Sequence, residues 1–115
     1  MRLLLMRHGI AADRETWTQS DALRPLTSQG ETKTRRAVFG LKNIQSQIDI
    51  LASSPLLRAR QTAEVVQGEY STEIQIWSEL EHADFQPLMK RLKTLPRDSV
   101  VLCVGHEPGL SEFVA

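Results

Sequence analysis

The chain's 115 residues give room for one compact domain that buries roughly two-thirds of its unfolded surface, and not comfortably for two. Fourteen Lys+Arg balance 14 Asp+Glu, so no global field draws the chain to nucleic acid or an anionic membrane, and any anion site has to be local. With 41% hydrophobic and 24% charged residues the composition is that of a globular chain, not a disordered, fibrous or membrane one.

The sequence reads as a single domain over residues 1–115, built from alternating strand and helix patterns. Leu3 to Met6 is the first strand-length apolar run; it is too short for a signal-peptide core and is followed at once by Arg7. Thr27 or Ser28 caps a helix predicted over about 28 to 46, with Thr34, Val38, Leu41, Ile44 and Ile48 at helical spacing. A second strand is predicted over Ile48 to Ala52. Ser53-Ser54-Pro55 then opens a helix with Leu56, Ala59, Ala63 and Val66 on one face and Gly68 as its stop. Ile74 to Trp77 gives a third strand. A third helix is capped by Asp84, carries Phe85, Leu88, Met89, Leu92 and Leu95 on one stripe, and stops at Pro96.

Val100 to Val104 is the fourth strand. Runs apolar on both faces with helices between them indicate a buried, mostly parallel sheet. A fourth helix opens near Pro108-Gly109 and is still running at Ala115, so the expectation is that a C-terminal part of the fold is missing. Cys103 is the sole cysteine, which removes a disulfide framework and CxxC motifs and fits a reducing, cytoplasmic setting.

Ligands of open parallel sheets bind past the carboxyl ends of the strands, and three segments fall there. They are Arg7-His8-Gly9, the stretch from Ser53 to Ala63 containing Arg58, and Gly105-His106-Glu107-Pro108-Gly109. Arginine forks match phosphate oxygens, and helix N-termini add N–H donors to the same anion. Neighbouring guanidinium groups lower an imidazole's pKa and keep it neutral, hence nucleophilic. His8 could then attack phosphorus, with His106 and the arginines stabilising charge on the equatorial oxygens, a route that needs no metal or cofactor.

Arg7-His8-Gly9, Ser54-Pro55-Leu56-x-Arg58-Ala59-x-Gln61-Thr62-Ala63 and Gly105-His106-Glu107 together resemble the signature blocks of the histidine phosphatase superfamily, which includes phosphoglycerate mutase. Short length and Arg24-Pro25-Leu26-Thr27-x-x-Gly30 make the chain most similar to the SixA branch of small phosphohistidine phosphatases. The resemblance implies a three-layer α/β/α sandwich around a mostly parallel sheet. It implies a nucleophilic His8, phosphate binding by Arg7 and Arg58, a second pocket histidine at His106, and Arg24 as a further phosphate contact. It also implies a C-terminal portion beyond the second histidine.

Candidates for a general acid are Glu79 and Glu81, with Asp84 beyond them; none matches a motif cleanly, and the plain reading is a solvated acidic loop. An alkoxide leaves poorly without a proton donor, whereas imidazole, with a pKa of about 6.5, departs far more easily. A weak acid therefore favours phosphohistidine on a protein such as a histidine phosphotransfer domain. The alternative is a small-molecule phosphatase or phosphoglycerate mutase-like enzyme acting on alkyl or sugar phosphates. A binding module without turnover is the third possibility, and it gives no reason to keep the nucleophile. Arg60 and His82 read as solvated or loop residues, Cys103 as packing, and the three histidines lack metal-motif spacing. Oligomeric state is not legible.

Overall fold

The computed structural model describes residues 1–81 and 85–106. Four strands, β1 (Arg2–Arg7), β2 (Ile50–Ser53), β3 (Ile74–Ile76) and β4 (Val100–Gly105), form one sheet in the order β1-β4-β2-β3. Every pairing between them is parallel. Three α-helices, α1 (Ser28–Ile44), α2 (Leu57–Tyr70) and α3 (Gln86–Lys93), complete the described architecture with two short 3₁₀ turns, η1 (Asp21–Leu23) and η2 (Ser78–Leu80).

Side chains alternate across a strand, so a run apolar at every position feeds two cores. Leu51, Leu102 and Val104 pack on one face against Val38 of α1 and Ala59, Ala63 and Val66 of α2. Ala52, Val101 and Cys103 face the other way, against Trp77, Leu80 and, from α3, Leu88 and Leu92. The result is the expected α/β/α sandwich. Each fully buried Leu or Val here contributes about 1.5–3 kcal/mol.

Local chemistry explains several helix ends. Thr27 is the N-cap of α1, its Oγ1 accepting the Gly30 N–H at 2.9 Å. Ile44, placed by its spacing on the apolar stripe of α1, is instead 80% exposed, because the helix ends there and Ile48 supplies the buried contact. The serine and proline expected to start α2 lie just before it: Ser54 Oγ accepts the N–H of Leu56, the N-cap residue. Gly68 does not stop α2. Its backbone is not left-handed, and the helix passes through it to end at Ser71, whose φ of 57° is. The Asp84 cap, His82 and the predicted helix beyond Pro108 lie outside the described residues.

Candidate active site

The strand order places three chain segments side by side. β4 lies between β1 and β2, so the carboxyl ends of β1, β4 and β2 are neighbours. The ladder continues one residue past each strand: His8 N–H donates to the Gly105 carbonyl at 3.1 Å and Ser54 N–H to the Val104 carbonyl at 3.0 Å. His8, His106 and Ser54 therefore stand in a row at the top of the sheet.

The two imidazole rings lie 5.0 Å apart between centroids, tilted by 55°. Nδ1–H of His8 donates to the Gly9 carbonyl at 2.7 Å. A carbonyl only accepts, so this contact places the proton on Nδ1 and leaves the Nε2 lone pair available. Burial pushes the His8 pKa below the ordinary imidazole value; the Gly9 hydrogen bond opposes this, and the Arg58, Arg7 and Arg24 charges lower it further. Desolvation, more than the arginines, keeps His8 neutral. His106 Nε2 is 2.7 Å from Ser54 Oγ. Its pKa is lowered to about 4, first by burial and then by His8 and Arg58.

Arg7 is the exposed last residue of β1, whereas Arg24 and Arg58 are buried, at 8% and 5% exposure. Arg58 projects from the first turn of α2 and donates through Nη1 to the Asp21 carbonyl at 2.9 Å and through Nη2 to Asp21 Oδ2 at 3.1 Å. Arg24 donates through Nε to Asp21 Oδ1 at 3.1 Å and through Nη1 to the Ala12 carbonyl at 2.7 Å. Arg7, His8, Arg24, Arg58 and His106 all line one cleft of about 690 Å³. Arg58 Nε and His106 Nδ1 are buried, and neither has a hydrogen-bond partner among the described residues. A buried polar atom left unpaired costs about 1–3 kcal/mol, which is a reason for such groups to occur where a ligand completes them.

The α2 motif also ties the site together. Thr62 Oγ1 accepts the Gly9 N–H at 3.0 Å while donating to the Arg58 carbonyl at 2.8 Å. Gln61 Oε1 accepts the Leu26 N–H at 2.7 Å, holding the segment that follows Arg24. Gly30 lets α1 approach the loop after His8: a Cβ there would lie 2.1 Å from the Ile10 carbonyl oxygen.

Neither Glu79 nor Glu81 is among the described residues lining the cleft. Glu79 is paired with Arg91, and that pair holds its carboxyl below the usual carboxylate range, the reverse of what a proton donor needs. Arg91 in turn lies over the Trp77 ring. Arg60 is exposed on α2, and burial pushes the Cys103 thiol up to about 12, which makes it a packing residue. Among the described residues no three His, Cys, Asp or Glu side chains gather as a metal-binding set. No described helix is long and apolar enough to cross a membrane. Asp21, Ser54 and Thr62 are the residues that sequence reasoning passed over as site components. Ser54 and Thr62 stood inside a motif, while Asp21 carried no signal beyond its place three residues before Arg24.

The fold is an α/β domain whose parallel sheet sets two histidines just past the ends of neighbouring strands, in a cleft that three arginines also line. Residues 3–100 match the histidine phosphatase superfamily (branch 1), and the chain belongs to that family. An uncharacterized protein of Picosynechococcus sp. is 37% identical over 118 residues, spanning 98% of this chain and 70% of that protein. Phosphohistidine phosphatase SixA of Escherichia coli is 41% identical over 66 residues, 57% of this chain and 39% of that protein. Among solved structures, the protein histidine phosphatase SixA complexed with tungstate superposes with a TM-score of 0.89 at 32% identity. That match covers all of this chain and 75% of the other.

Proposed function

We propose that the protein is a phosphohistidine phosphatase that takes the phosphoryl group from a histidine on another protein, such as a histidine phosphotransfer domain, through a phosphoimidazole on His8. The observation that carries this reading is the His8 ring itself: Nδ1–H is engaged by the Gly9 carbonyl, and the ring is kept neutral by burial in the cleft that Arg7, Arg24, Arg58 and His106 line. In the first step Nε2 attacks phosphorus, the P–N bond of the substrate breaks, and the departing imidazole takes the electron pair and a proton from solvent. In the second, water attacks the phosphoimidazole, orthophosphate leaves, and the electron pair returns to Nε2. The arginines carry the charge on the equatorial oxygens in both steps.

The substrate follows from leaving-group chemistry. Exchange of one phosphoimidazole for another is nearly balanced in energy, and imidazole departs without the strong acid that an alkoxide requires. Glu79 is committed to Arg91 as a carboxylate, which supports a substrate that needs no such acid. The names of the E. coli relative and of the tungstate-bound structure point the same way. The lone, buried Cys103 is in keeping with a cytoplasmic setting.

The test offers the protein a phosphorylated histidine phosphotransfer domain beside an alkyl phosphate and follows acid-labile phosphate, with His8→Ala as control. Faster turnover of phosphohistidine, abolished by the substitution, is the expected result. Preference for the alkyl phosphate would move the function to small metabolites, and turnover surviving His8→Ala would remove the nucleophile.

A further inference from the structure

Asp21 stands behind two of the arginines of the cleft. Its Oδ1 accepts from Arg24 Nε at 3.1 Å, its Oδ2 from Arg58 Nη2 at 3.1 Å, and its main-chain carbonyl from Arg58 Nη1 at 2.9 Å. The two guanidinium groups are buried, whereas the carboxylate is half exposed and is not among the described residues lining the cleft. One turn of chain, η1, thus holds both forks from the side.

Two buried like charges repel, and each carries several rotatable bonds whose freedom a bound anion would otherwise have to remove. A carboxylate shared between them offsets the repulsion and fixes the forks before any ligand arrives, so that the ordering cost falls outside the binding step. Each arginine keeps further capacity. Arg58 Nε has no described partner, and Arg24 uses only Nε and Nη1 in the bonds above.

We propose that Asp21 is the positioning residue of the anion site, holding Arg24 and Arg58 in the geometry that receives the phosphoryl oxygens. This rests on the reading of the cleft as a phosphoryl site. It makes a prediction of opposite sign to simple charge counting: deleting a negative charge beside an anion site should tighten anion binding, whereas deleting a positioning residue should loosen it.

The experiment is calorimetric titration of the full chain with tungstate and, separately, orthophosphate, well below the unfolding temperature of each variant. Asp21→Ala is expected to weaken tungstate binding by about tenfold, as for loss of charge-assisted hydrogen bonds that set a fork. Asp21→Asn, which keeps the shape and one acceptor, should fall between Asp21→Ala and the unaltered protein, and Asp21→Glu should recover part of the loss. Should Asp21→Ala not fold, the Asn and Glu variants carry the test. A lowered unfolding temperature with unchanged or tighter tungstate binding would overturn the proposal, as would failure of the unaltered protein to bind either anion. Anion binding is read without turnover, so a failure of the phosphohistidine assay is seen separately from a failure here.

Discussion

Thr62 joins the two halves of the site: one hydroxyl accepts the Gly9 N–H at 3.0 Å and donates to the Arg58 carbonyl at 2.8 Å. The nucleophile's loop and the arginine's helical turn are thereby fixed to each other through a fully buried side chain. Thr62→Val keeps the volume and removes both bonds, leaving the Gly9 N–H unpaired at a cost of about 1–3 kcal/mol. Urea unfolding should show that loss, and kcat should fall more than KM rises, because the displaced group is His8. Thr62→Ser should restore most of both; equal kcat in the Val variant would show that Thr62 does not position His8.

The glycines of α1 should respond in opposite directions. At Gly30 an added Cβ would lie 2.1 Å from the Ile10 carbonyl oxygen, and two backbones cannot turn aside as a side chain can. Gly30→Ala should destabilise by about 3 kcal/mol, at the upper end of overpacking costs, and displace the loop after His8. At Gly40 the added methyl meets nothing within 4 Å. Gly40→Ala should stabilise by about 0.5–1 kcal/mol with activity unchanged. Denaturant midpoints for the two variants check the pair, and a shift of the same sign in both would contradict the packing described.

Both site histidines have a pKa lowered from the ordinary imidazole value, so the sign of the pH dependence is fixed. A nucleophile must be unprotonated, and with its pKa lowered His8 stays competent below pH 6.5; the acid limb of kcat/KM should therefore lie under that value. For His106 the unfolded chain takes up a proton near 6.5 and the folded chain only near about 4. Between those values the unfolded state binds more protons, so stability falls as pH drops, by at most about 1.4 kcal/mol per pH unit, and His106 adds no further loss below the window. Urea unfolding at pH 7 and pH 5, compared with His106→Gln, isolates this contribution. Equal pH slopes for the two proteins would contradict a depressed His106.

Glu79 tests the leaving-group argument. Glu79→Gln breaks the pair with Arg91, an ion pair in which Arg91 is 42% exposed. The cost in stability should be about 1 kcal/mol or less. Turnover of phosphohistidine should stay within about twofold, the scatter expected when no transition-state contact is lost. A hundredfold fall on either substrate class would make Glu79 a proton donor after all.

Much of the fold was legible because strand runs such as Val100 to Val104 are apolar at consecutive positions, a pattern that demands two covered faces. The clustering of His8, Arg58 and His106 was legible because each follows the carboxyl end of a strand. What stayed hidden depends on contacts distant in sequence. Nothing local says that β4 inserts between β1 and β2, the arrangement that sets the histidines beside each other. Asp21 meets Arg58 across 37 positions, and Ser54 meets His106 across 52, so neither pairing leaves a periodic trace. Gly68 read as a stop because glycine weakens helices in general, yet a helix already packed through Ala63 and Val66 bears that cost.

The most direct measurement is to mix the protein with a radiolabelled phosphohistidine domain, quench within milliseconds in alkali, and locate the label on the chain by mass spectrometry. The expected result is an acid-labile, alkali-stable phosphoryl group on His8, formed and lost within one turnover and absent from His8→Ala. Label on any other residue, or turnover by a rapid-quench time course with no labelled enzyme at all, would contradict transfer through His8.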